Sequence, residues 1–104
     1  MKYSVVAAIL LAVFSAQAVA SDALSLAQSK GCLGCHAVER AEVGPSWLEV
    51  AKKYRGSGNA SHQLAGSILY GSMGNWGKRP MRGHAKKLSK DEALILAEFI
   101  MGLE

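Results

Sequence analysis

Two thiols and an imidazole stand within five residues of this chain, in the run Cys32-Leu33-Gly34-Cys35-His36. Cys-x-x-Cys-His is the spacing at which c-type haem is attached. The spacing has a chemical reason. Two thiols three positions apart on one helical turn reach the two vinyl groups of one porphyrin and form thioethers. The residue that follows then lies under the iron with a ring nitrogen to offer. The chain has 2 cysteines, and both fall in this run, so neither belongs to a separate disulfide framework. A redox disulfide can use the same pair, but that chemistry belongs with a βαβ pattern, and the flanking segments read helical. Structural zinc takes four ligands. Cys32, Cys35 and His36 supply three, and an adjacent Cys and His are poorly placed to close one tetrahedron. Haem attachment is the expectation.

The elements that position this run begin after a leader. Lys2 gives a basic start, residues 5–14 are apolar, and Ala18-Val19-Ala20 is a small-x-small cleavage site, the pattern of a secretory signal. Read as a membrane anchor, the apolar run is short, because a spanning helix wants about twenty apolar residues. Cleavage is expected after Ala20, with Ala18 as the alternative. Residues 21–104 then form one small domain, and residues 1–20 are removed. So small a core is usually reinforced by a staple, and a covalent haem supplies one. Loss of Lys2 brings the formal charge from +4 to +3, and two haem propionates bring it near +1. The high pI is thus a weak argument for nucleic acid, and with no basic helix interleaved with aromatics no nucleic-acid partner is expected.

Four helices are expected. The first runs from Asp22, as N-cap, to Lys30, with Gly31 after it. Ser46 and Glu49 have capping-box spacing and open a second helix that runs to about Arg55 and stops at Gly56. Asn59 caps a third, with Leu64, Ala65, Ile68 and Leu69 on one face and Gly71 beyond its end. Ser89 and Glu92 form another capping box. It opens a fourth helix carrying Ala93, Leu94, Ala97, Ile100 and Met101, with Asp91 and Glu92 suited to the dipole of its first turn. Between the last two helices, residues 71–84 hold four glycines and one proline, which argues against regular structure. A long loop in a small domain that also carries Trp76 and Met81 reads as functional.

Taken together, Gly31 with the Cys-x-x-Cys-His run, Val43-Gly44-Pro45, Gly71-Ser72, Asn75-Trp76-Gly77, Pro80-Met81 and Asp91-Glu92-Ala93 resemble the small class I monohaem cytochromes c of bacteria. The resemblance covers essentially all of residues 21–104. It implies an all-α fold of about four helices around one covalently attached haem c. It implies Cys32 and Cys35 as thioether residues, His36 as proximal ligand and Met81 as distal ligand. By the same resemblance, the Pro45 carbonyl accepts the other ring N–H of His36, Trp76 bonds a propionate, and Phe99 packs on the first helix, where Ala27 and Gly31 leave room. The function implied is periplasmic electron transfer, with iron cycling between Fe(II) and Fe(III). The partners implied are a respiratory donor and a terminal reductase or oxidase. A monomer with no stable membrane anchor is expected, and no catalytic residues are assigned.

Some positions depart from the family pattern. Relatives often carry Met-Pro-Pro-Asn at the distal ligand, and this chain has Met81-Arg82-Gly83-His84. His84 thus replaces the asparagine that would bond the methionine sulfur. Ser67 and Tyr70 stand where an arginine and an asparagine are common. His84 and His62 are rivals for the distal position, and Met73 and Met101 read as core gap-fillers. Trp76 has plain core as its alternative. Lys78, Arg79, Arg82, Lys86 and Lys87 surround Met81 as a solvated face or a docking face. Two other functions use the same motif: a haem protein with an open distal site for gas or peroxide, and a haem subunit of an oxidoreductase complex.

Overall fold

A computed structural model describes residue 20 and residues 22–104. Apart from Ala20, the expected leader lies outside the described residues. Among the described residues no helix is long and apolar enough to cross a membrane.

Helix α1 occupies residues 22–29. Asp22 is itself helical, as is Ala20, so the cap expected at Asp22 is not where the helix begins. A turn of 3₁₀-helix, Cys32–Gly34, follows. Helix α2, Trp47–Tyr54, opens on Ser46, whose hydroxyl accepts the Glu49 N–H at 3.1 Å. Helix α3 is Ala60–Tyr70. Asn59 holds its N-cap position with φ −128° and ψ 34°, and its side chain makes no cap bond. That backbone is off the extended conformation from which a capping side chain reaches back to the first turn.

Residues 71–84 are not the irregular loop expected from their composition. Strands β1, Ser72–Gly74, and β2, Gly77–Met81, form an antiparallel hairpin that pairs Ser72 with Met81 and Gly74 with Gly77. The glycines that argued against regular structure are what close it. Gly74 and Gly77 sit at φ +86° and +97° on either side of Asn75-Trp76, a region that costs glycine nothing. The fold is thus four helices with one small sheet.

Helix α4, Lys90–Met101, carries the full reciprocal capping box. Ser89 Oγ accepts the Glu92 N–H at 3.1 Å, and Glu92 Oε1 accepts the Ser89 N–H at 3.0 Å. Its buried face, Ala93, Leu96, Ala97 and Ile100, packs on Leu64, Ala65, Ile68 and Leu69 of α3. Leu96 belongs to that face, while Leu94 and Met101 lie half-buried at its edges.

Ser89→Ala is expected to cost about 1 kcal/mol of stability, the usual worth of an N-cap, read as a lowered denaturant midpoint with an unchanged slope. The box also has a pH signature. The Ser89 N–H, helped by Lys30, holds the Glu92 carboxyl below its ordinary value. A carboxyl depressed in the folded state contributes stability above its unfolded pKa of about 4.3 and loses it as pH falls through the folded value. The stability difference between wild type and Glu92→Gln should therefore shrink as pH drops below about 4.3.

Candidate functional site

The motif turn enters through Gly31 at φ +82°, and the N–H groups of Cys35 and His36 both donate to Cys32 O, at 3.2 and 3.0 Å. Both thiols are free. Burial pushes the Cys32 thiol up, and the Lys87 ammonium partly opposes that. The chain then folds back over the motif. Gly44 N–H donates to Cys35 O at 2.7 Å, and Trp47 and Leu48 N–H donate to Ala37 O and Val38 O, each at 3.0 Å. Together with the Ser46 cap, these bonds satisfy the first three N–H groups of α2, which a helix leaves without internal partners. The start of α2 is thereby locked to the segment that follows His36.

This lock seats the imidazole. Pro45 O lies 2.9 Å from His36 Nδ1. A carbonyl only accepts, so Nδ1 carries the proton and Nε2 keeps its lone pair. Gly44 closes one side, because a Cβ there would lie 2.5 Å from His36 Cε1 and 2.9 Å from Nδ1. Trp47 closes another, stacked with ring centroids 5.9 Å apart and planes at 26°. Phe99 meets Trp47 edge-on at 6.1 Å and 85°.

His36 opens onto a cavity of about 360 Å³, within the range of roughly 300–1,000 Å³ for small-molecule and cofactor sites. Cys32, Cys35, Pro45, Leu64, Ile68 and Ile100 line it, as do Trp76, Met81 and His84. The donor set fits a c-type haem: two free thiols, an imidazole with its second nitrogen already committed, a thioether and an apolar lining. Among the described residues no three His, Cys, Asp or Glu side chains are grouped to hold a metal ion.

The family model for cytochrome c matches residues 21–104. The chain belongs to the cytochrome c family. This cytochrome is 43% identical over 93 residues to cytochrome c-551 of Allochromatium vinosum, covering 86% of this chain and 98% of that one. It is 42% identical over 82 residues to cytochrome c-551 of Pseudomonas aeruginosa, covering 79% of this chain and 77% of the relative. The crystal structure of Nitrosomonas europaea cytochrome c552 superposes with a TM-score of 0.75 at 38% identity, covering 78% of this chain and 99% of that one. The cytochrome is a monohaem electron carrier with one covalently attached haem c.

All six residues expected at the site line the one cavity: Cys32, Cys35, His36, Pro45, Trp76 and Met81. Trp76 is rim and not core. It is 38% exposed, with Lys53 Nζ 4.4 Å from its ring centroid and donating to Asn75 O at 2.5 Å. Met73 is 76% exposed on the hairpin, which corrects its reading as a gap-filler: a strand with no sheet neighbour on one side leaves it nothing to fill. Gly31 does not make room for Phe99. A Cβ there would meet only Lys87 Nζ, at 3.9 Å, and the aromatic partner of Phe99 is Trp47. His62 is exposed and lies off the cavity lining, whereas His84 is on it.

Sequence reasoning missed two residues of the cytochrome's site. Trp47 was not singled out, yet it is 4% exposed and backs the His36 ring. Its signal was the apolar spacing Trp47, Val50, Ala51 on a helix that starts two residues after Pro45. Lys53 gave no signal, since its reach to the hairpin depends on a contact between residues 22 positions apart.

Proposed function

We propose that this cytochrome shuttles single electrons between periplasmic redox proteins, with Cys32 and Cys35 as the thioether attachment points and His36 and Met81 as the axial ligands. The observation that carries the reading is the seat of His36: Nδ1 tied to Pro45 O at 2.9 Å, with Nε2 left as a base beside two free thiols and a thioether on one cavity. Bound haem supplies a one-electron Fe(III)/Fe(II) couple, and a neutral thioether in the axial set favours the reduced side. Pro45 fixes the tautomer and direction of the His36 ring. Trp76, exposed at the cavity rim with its indole N–H, is read as the donor to a propionate. With one chain residue assigned to each axial position, the protein is a carrier and not an enzyme. Residues 1–20 are read as its export signal.

Mass and colour test this together. The intact mass of the exported protein should equal the chain from Ser21 plus one haem. Acid-acetone extraction should leave the colour on the polypeptide, and the oxidised protein should be low-spin. Colourless protein with a Cys32–Cys35 disulfide overturns the reading, and a high-spin ferric spectrum overturns the axial pair.

Charge names the partner surface. Lys78, Arg79, Arg82, Lys86 and Lys87 are all exposed, and Arg79 and Arg82 line the cavity. No Asp or Glu occurs between Glu49 and Asp91. Among the described residues these five make no ion pair; the three bridges present lie at Lys30–Glu92, Arg40–Glu42 and Lys52–Glu49. Such a single-sign rim steers an acidic partner and raises its on-rate by about 10- to 1,000-fold at low salt. Electron transfer should slow as salt rises, because the screening length falls to about 8 Å at physiological ionic strength. Arg82→Glu with Lys86→Glu should cut the second-order rate about tenfold or more, with little change in potential. A flat salt profile and equal rates would leave only apolar contact at the haem edge.

A further inference from the structure

Two histidines on the same cavity are held in the same way. His36 Nδ1 donates to Pro45 O at 2.9 Å, and His84 Nδ1 donates to Ile68 O at 3.1 Å. Ile68 O cannot donate, so the Nδ1 of His84 also carries the ring proton and its Nε2 also keeps a lone pair. This decides what His84 can do beside Met81. It cannot replace an asparagine that donates to the methionine sulfur, because the nitrogen left over has no hydrogen to give. It is instead a second neutral imidazole base on the cavity that holds Met81.

The backbone keeps it there. The His84 N–H donates to Ile68 O at 2.9 Å and to Leu69 O at 3.0 Å, and the Ala85 N–H donates to Leu69 O at 3.0 Å. Gly83 approaches so closely that a Cβ would lie 2.6 Å from Leu69 O. These bonds occupy carbonyls that the end of α3 leaves open, so His84 stays in place when the Met81 side chain moves. A carbonyl-bonded histidine is also the arrangement that orients an imidazole and raises its basicity as a ligand.

We propose that His84 is the reserve axial ligand of this cytochrome, its Nε2 taking the iron position that Met81 vacates. The proposal rests on the reading of Met81 as the distal ligand. His62, the remaining histidine of the 3 in the chain, is exposed and off the cavity lining, and it serves as the control.

The test is the ferric spin state and ligand signature of purified holoprotein by optical and electron paramagnetic resonance spectroscopy. Met81→Ala should be low-spin with a two-imidazole signature. Met81→Ala/His84→Ala should lose that signature, and Met81→Ala/His62→Ala should keep it. A Met81→Ala protein that is high-spin, or whose low-spin signature survives His84→Ala, overturns the proposal and leaves Met81 as the ligand. A Met81→Ala protein with the wild-type spectrum instead overturns the assignment of Met81.

If Met81→Ala does not mature, the same question is put to the wild-type holoprotein by warming it until the thioether-to-iron charge-transfer band disappears. A two-imidazole species should replace it in wild type and be missing in His84→Asn. Its formation in both, or in neither, overturns the proposal.

Discussion

Gly44→Ala should dislodge the His36 imidazole although it alters no ligand and no cavity-facing functional group. The added methyl would stand 2.5 Å from Cε1, 2.9 Å from Nδ1 and 3.1 Å from Nε2 of that ring. All three atoms belong to a side chain pinned by Pro45 on one side and stacked on Trp47 on the other. Relief has to come from the ring or from the segment carrying Gly44, whose N–H holds Cys35 O at 2.7 Å. Either movement reaches the His36 ring. Overpacking of this kind costs about 1–3 kcal/mol, and here the strain falls on the side chain proposed as the axial ligand. The expected result is a lower denaturant midpoint together with a changed ferric spectrum and midpoint potential. Gly66→Ala on α3 is the matched control, since a Cβ there meets nothing within 4 Å, and it should be neutral or slightly stabilising. Wild-type spectrum and stability for Gly44→Ala would show that the segment yields freely and that the close approach has no function.

Trp47→Ala is expected to remove a large share of the stability margin. Truncating a buried Trp costs about 3–5 kcal/mol, against a total of about 5–15 kcal/mol for a native domain. Three losses coincide at this residue. It is 4% exposed in the core, it backs the His36 ring, and it joins that ring to Phe99 of α4. Trp47→Phe keeps an aromatic face and should recover a large part of the loss. Equilibrium unfolding of the ferric holoprotein of both variants is the measurement, with the His36 signature followed in parallel. A loss under about 1 kcal/mol for Trp47→Ala would contradict the central place given to this side chain.

These two residues mark where sequence reading stopped. The thiols and the imidazole were legible because covalent attachment imposes a fixed spacing of types along the chain. The faces of α3 and α4 were legible because a 3.6-residue period repeats over three turns. The capping box at Ser89 and Glu92 was legible for the same local reason. Gly44 as a steric seat was not, because the atoms that require its missing side chain belong to a residue eight positions earlier and meet it only after the chain folds back. The hairpin was hidden by its own glycines, which are equally a signature of irregular loop until two of them are seen flanking a two-residue turn. Asp22 and Asn59 show the opposite error. Each has a capping residue's chemistry, but Asp22 lies inside its helix, and Asn59 holds the N-cap position with a backbone that leaves its side chain without a cap bond.

The staple between residues 83–85 and the end of α3 is made by backbone N–H groups and one imidazole, and the Lys30 ammonium that ties this segment to the first helix takes Lys87 O and not its side chain. The side chains of Arg82, Lys86 and Lys87 make no hydrogen bond in that anchorage and are exposed. Substitution at Lys86, which is exposed and off the cavity lining, can therefore change the surface charge of this segment while its backbone anchorage is kept. A descendant of this fold can alter the charge it presents there without giving up the bonds that hold residues 83–85 against α3.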